Sequence, residues 1–131
     1  MTGRRDVTDA ELIAIAAALV GDFRPSTDVA VGGVAAAVLS RSGRVYTGVC
    51  IDTACSMGFC AEHAAVAEML KAREAEIASV VAVTAAGIIA PCGRCRELMW
   101  QVHPSNRDTR VIVSANRSVR LAELLPEPWR V

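Results

Sequence analysis

Four residues of this chain have the types and spacing for metal-assisted chemistry: Cys60 and Glu62 in "GFCAEHAAVAEML", and Cys92 and Cys95 in "PCGRCREL". Two cysteines separated by two residues can chelate one ion from a single turn, and Cys60 can add a third sulfur from elsewhere. Zinc is the natural occupant of such a set, and three protein ligands leave the fourth tetrahedral position for water, as in a catalytic site. Zinc lowers the pKa of that water from about 16 towards roughly 7 in favourable sites, an effect that three thiolates moderate. A nearby base therefore helps. Glu62 sits two residues from Cys60 and is not needed as a ligand, so it can take a proton and deliver it elsewhere. Both segments fall where a helix is expected to begin. Unpaired N–H groups and partial positive charge at a helix N-terminus stabilise thiolate.

Two other readings compete. "CGRC" alone fits a redox dithiol, but that leaves Cys60 and Glu62 unexplained. A structural zinc could instead recruit Cys55, since Cys55-x4-Cys60 with Cys92-x2-Cys95 also closes a tetrahedron. Such a module would bind partners, and Glu62 would then be an ordinary acid of a first helical turn. Outside the metal set, Cys50 and Cys55 read as buried or pocket-lining thiols. His63 is expected to face away from the cluster or to bond a neighbour. Met99 and Trp100 are expected in the core or a subunit contact.

The elements that must position these residues follow from periodicity. Apolar Leu12, Ile13, Ala16, Leu19 and Val20 predict a helix starting at Thr8 or Asp9 and stopping at Gly21. "DVAVGGVAAAVLS" and "RVYTGVCID" predict two strands joined by a hairpin near Ser42 and Gly43. A second helix is expected over "CAEHAAVAEMLKAREAE", with Ala64, Ala67, Met69 and Leu70 on its apolar face. "SVVAVTAAG" predicts a buried strand, and "PCGRCRELMWQVHP" a third helix ended by Pro104. "TRVIVS", the turn "ANRS" and "VRL" predict two more strands, followed by a helical turn at "LAELLP". The order α-β-β-α-β-α-β-β implies an α/β fold with a five-stranded mixed sheet between helices, in one domain over 1–131.

Composition narrows the partners. Fourteen acidic and fourteen basic residues balance, so no general attraction to nucleic acid or anionic lipid is expected, and a small-molecule substrate fits better. No apolar run approaches the roughly 20 residues of a membrane span. The odd count of five cysteines favours metal or thiol chemistry over a disulfide framework and, with an N-terminal stretch that reads as a capped helix, predicts a cytoplasmic location.

"CAE" followed by "PCGRCR", with "SGRVYTGV", "HP" and "ELLP", resembles the zinc-dependent cytidine deaminase family, most closely its blasticidin S deaminase branch; the ligand-and-Glu arrangement is that of zinc deaminases. The resemblance covers most of the chain. It implies a three-layer α-β-α fold, Zn2+ on Cys60, Cys92 and Cys95, and Glu62 as the proton shuttle. The implied reaction is hydrolytic deamination of a cytosine-like ring. Glu62 protonates the ring nitrogen, activated water adds to the amine-bearing carbon, and ammonia leaves. Ala61, Ala90, Pro91, Arg94 and Trp129 are implied at the substrate, with Pro91 restraining Ala90 so that its carbonyl can meet the amine; Arg94 also reads equally well as a surface residue that offsets thiolate charge. A homotetramer is implied as well. Family members usually carry Asn-x-Glu for the ribose. Here Cys50 takes the Asn place and Asp52 the Glu place, so weak turnover of plain cytidine is expected.

Overall fold

The structure, a computed structural model, describes residues 6–130. Thr8 caps the first helix, α1 (Asp9–Ala17): its hydroxyl accepts the Glu11 N–H at 3.1 Å while the Glu11 carboxylate accepts the Thr8 N–H at 3.1 Å. This reciprocal capping box satisfies two donors that a helix start otherwise leaves open. The helix stops short of Gly21, and Leu19 is exposed.

Seven strands form the sheet: β1 (Phe23–Ser26), β2 (Val29–Ser40), β3 (Val45–Thr53), β4 (Ile77–Thr84), β5 (Gly87–Ile89), β6 (Arg110–Ser114) and β7 (Arg117–Arg120). The main path runs β1-β2-β4-β6-β7, with β3 pairing β2 and β5 pairing β4. Among the described residues only the β4–β6 pair is parallel. The sheet is mixed as expected, but it has seven strands where the sequence predicted five. The two additions, β1 and β5, are short. β1 is fully exposed and contains Pro25, so it lacks the apolar alternation that marks a strand, and β5 is three residues folded back onto β4.

Alternation along β2 builds the layers. Ala35 and Ala37 join Leu12 and Ala16 of α1, with Val81, Val83 and Ile112, on one face. Ala36 and Val38 join Ala65, Val66, Met69, Met99 and Leu121 on the other, under α2 (Ala61–Lys71), α3 (Gly93–Val102) and α4 (Leu121–Leu124). With both faces covered, the fold is a three-layer α-β-α arrangement. Asn106, fully buried, joins the parts around β4: Oδ1 accepts the Ile77 N–H at 2.8 Å, and Nδ2 donates to the Ala75 and Met99 carbonyls at 3.0 Å each. It lies in a 3-10 turn (Pro104–Asp108) that follows α3.

Helix α2 departs from the sequence reading in length and face. It ends at Lys71, because Arg73 takes a left-handed conformation (φ 66°). The Arg73 N–H bonds the Leu70 carbonyl at 2.9 Å and the Glu74 N–H bonds the Met69 carbonyl at 3.2 Å, a Schellman closure without the glycine that would announce it. The buried stripe is Ala61, Glu62, Ala65, Val66 and Met69, whereas Ala67 and Leu70 are exposed. The expected apolar face is thus rotated. Alanines on both sides of α2 blur the period, and the true stripe contains a carboxylate. Gly48 on β3 lets the helix approach: a Cβ there would lie 2.5 Å from the Ala65 nitrogen and 2.6 Å from the Ala61 carbonyl oxygen.

Candidate active site

Cys60 and Cys92 occupy equivalent places, each an extended residue capping the N-terminus of α2 or α3 (φ −72°, ψ 156° and φ −69°, ψ 169°). Neither side chain caps its helix. Both sulfurs are therefore available to each other, and they lie 3.3 Å apart. Cys95, buried in the first turn of α3, completes a trio whose sulfurs all fall within 4.8 Å of one another. Ligands at about 2.3 Å from a tetrahedral zinc are separated by roughly 3.8 Å, so this trio fits that ion in both donor type and spread. All five cysteines are free thiols. Cys55 is exposed, its thiol directed to the Thr53 hydroxyl at 3.7 Å, and it stands outside the trio.

Electrostatics divide the group. Burial pushes the Cys95 thiol far up, and the neighbouring Glu62, Cys60 and Cys92 charges push the same way. Burial and the hydrogen bond with Cys92 raise Cys60. At Cys92 burial acts upward, but the Cys95 N–H, the Cys60 thiol and the Arg94 N–H outweigh it and hold Cys92 below the usual thiol value. Glu62, 3% exposed, is raised by burial against the pull of a backbone hydrogen bond.

A cleft of about 650 Å³ opens beside the trio. Cys50, Asp52, Cys60, Ala61, Glu62, Ala90, Cys92 and Arg94 all line it. The Cys50 sulfur accepts the Val34 N–H at 3.2 Å, and its thiol points to Asp52 Oδ2 at 3.8 Å, so this wall offers a substrate chiefly the Asp52 carboxylate. Pro91 is buried, its carbonyl accepting Arg96 Nε at 2.8 Å. Trp129 lies apart from the cleft lining in the single chain: it is 67% exposed, and its backbone N–H donates to Glu97 Oε1 at 2.9 Å. The bond to Glu97 ties the tail to α3, which nothing in its local sequence signals.

Two residues escaped sequence reasoning. Arg96 also donates to the Leu124 carbonyl at 3.1 Å, joining the Cys92 loop to α4, and only its place next to Cys95 hints at this. Phe59 lines the cleft; its backbone pairs with Ile51 in both directions (3.0 and 2.9 Å), and His63 stacks on its ring at 5.1 Å between centroids. The Nδ1 atom of His63 finds no hydrogen-bond partner among the described residues. Stacking, not ligation, is what His63 does here.

These layers and this cysteine trio define a cytidine deaminase-like α/β fold with a candidate three-sulfur metal centre. No family model matches the chain. Among solved structures it is similar to the cytidine deaminase of Mycobacterium tuberculosis at 26% identity, with 96% of this chain and 100% of that one covered and a TM-score of 0.79. It is also similar to the cytidine deaminases of Mycobacterium leprae (25% identity, 93% and 100% covered, TM-score 0.77) and Burkholderia pseudomallei (27%, 93% and 99%, 0.72).

Proposed function

We propose that the chain is a zinc-dependent hydrolytic deaminase that converts an amino group on a cytosine-like ring, in a nucleoside or related small molecule, to a carbonyl with release of ammonia. One observation carries the reading: three convergent sulfurs and a buried carboxylate share one cleft on a fold whose solved relatives are cytidine deaminases. Cys60, Cys92 and Cys95 would hold zinc, which when bound supplies Lewis acidity and makes water a nucleophile near neutral pH. Glu62 takes a proton from water and gives it to the ring nitrogen, then takes the hydroxyl proton of the tetrahedral adduct and passes it to the departing amine, so that ammonia leaves and the ring carbonyl remains. Its burial keeps bulk solvent from competing for that proton. The loop held by Arg96 at Pro91 carries Ala90 on the cleft wall, and in this reading the Ala90 carbonyl would accept from the amine.

A second reading, an aminoacylnucleoside deaminase of the blasticidin S type, draws support from Arg94, which is exposed and lines the cleft, and from the Asp52 wall. The structural-zinc reading loses support because Cys55 stands outside the sulfur trio. The free cysteines fit a reducing, cytoplasmic location. Among the described residues no helix is long and apolar enough to cross a membrane. Assembly as a homotetramer rests on the resemblance to the family; exposed Phe23, Met57 and Trp129 give it apolar surface to use.

An ammonia-release screen of the zinc-loaded protein tests the proposal, using cytidine, deoxycytidine, cytosine, blasticidin S, and aminated purines and pterins. At least one aminated pyrimidine should release ammonia. Plain cytidine should trail the best substrate by about tenfold, since the Cys50–Asp52 wall lacks an amide donor for the sugar. Silence from every compound would overturn the reading.

A further inference from the structure

Glycine inside a strand weakens it unless an unusual backbone conformation, a close neighbour or a ligand requires the missing Cβ. Three glycines stand at or next to the cleft, and the fold accounts for two of them. Gly32 takes a positive φ of 88°, and a Cβ there would lie 2.2 Å from the Gly21 carbonyl oxygen. A Cβ on Gly58 would lie 1.8 Å from the Ile51 carbonyl oxygen. Gly33 has neither reason: its φ is not positive, and a Cβ there would meet nothing within 4 Å. Gly21, Gly87 and Gly93 share that open space, but of the four Gly33 alone lines the cleft, where it is exposed. It lies in the stretch between Val31 and Ala35 where the β2–β3 register shifts and the Cys50 sulfur accepts the Val34 N–H. The reacting edge of a ring must face Glu62 and the trio, which stand at the helix starts. The wall built by β2 and β3 is left for whatever the ring carries.

Resting on the deaminase reading above, we propose that Gly33 determines specificity: its missing side chain leaves the room into which the substituent on the substrate ring extends. The same wall carries the Asp52 carboxylate, an acceptor for hydroxyl or amine donors on that substituent. The cleft then serves a ring that bears a polar substituent, as a nucleoside does, ahead of the free base. A Cβ at Gly33 would occupy that room without meeting the chain itself.

Zinc-loaded wild-type, Gly33→Ala and Gly33→Val proteins test the proposal, compared in melting temperature, zinc content and steady-state ammonia release from cytosine, cytidine, deoxycytidine and blasticidin S. Wild type should act on at least one substituted ring with a higher kcat/KM than on cytosine. Gly33→Ala should melt no lower than wild type, because alanine at a position that the fold leaves open restricts only the unfolded chain. For the best substituted ring, KM should rise about threefold in Gly33→Ala and about tenfold or more in Gly33→Val, with kcat within about twofold, the pattern of lost uniform binding. Gly33→Ser takes the place of Gly33→Val if the latter loses zinc. A Gly33→Ala protein that melts several degrees lower would show that the fold itself demands glycine, and unchanged KM in folded, zinc-loaded variants would show that no substituent passes there. Either result, or a wild type that prefers cytosine, would overturn the role of Gly33 and leave the deaminase reading standing. Ammonia released from none of the four compounds would overturn both.

Discussion

Glu62 illustrates what a residue's surroundings add to its type. A first-turn acid is commonplace, favoured by the helix dipole and normally wet. This one is buried, faces the cleft beside three thiols, and is raised by that burial. If it moves the protons, Glu62→Gln should bind zinc normally while ammonia release falls about 10²- to 10⁴-fold, the usual range for losing a general acid-base group. Parallel metal analysis and a turnover assay check this, and near-normal turnover would remove Glu62 from the mechanism. The pairing of Cys60 with Glu62, and of Cys92 with Cys95, was legible in the sequence because helix-start positions and chelate spacing are local properties. Phe59 was not legible. Its placement comes from a backbone bridge to Ile51 and a ring contact with His63, neither of which has a local signature.

At the scale of elements, two helix starts must be aimed at one point, and the devices that aim them are non-local. Gly48 lets α2 sit close on β3, and Arg96 ties the Cys92 loop to α4. Asn106 holds the far end of α3 to the start of β4 with three hydrogen bonds, two of them buried. Asn106→Ala would leave the Ile77 N–H and the Ala75 and Met99 carbonyls without this partner. Unsatisfied buried groups cost about 1–3 kcal/mol each, so an overall loss of about 3 kcal/mol is expected, read as a lower denaturant midpoint with unchanged slope. A loss under about 1 kcal/mol would show that these groups find other partners. The main strands and helices were legible from their apolar periods. The α2 terminus was not, because Arg73 adopts the left-handed closure usually reserved for glycine, and β1 and β5 were not, because short edge strands carry no alternation.

For the whole molecule, the outer layer α1 is joined to the start of β6 by the Asp9–Arg110 pair, a two-pronged contact at 2.9 and 2.5 Å between residues far apart in sequence. The Arg110 hydrogen bond holds the Asp9 carboxyl below its usual value, aided by the charge of Arg110 and opposed by burial. The folded value lies below the unfolded one of roughly 3.9, so the contribution is present above that pH and is lost as pH falls through the folded value. Both side chains are substantially exposed, which limits the effect to about 1 kcal/mol. Arg110→Ala should therefore lower stability near neutrality slightly and flatten its decline below about pH 4. Thermal melts across pH 2–7 check this, and parallel curves for the two proteins would refute it.

The proposed chemistry requires a metal held by three sulfurs and no fourth cysteine. Zinc content per chain, measured on freshly purified wild-type protein and on Cys55→Ser, Cys60→Ser, Cys92→Ser and Cys95→Ser variants, tests that claim most directly. One zinc per chain is predicted for wild type and Cys55→Ser, with marked loss in the other three. Zinc that disappears with Cys55, or wild-type protein that never holds any, would contradict it.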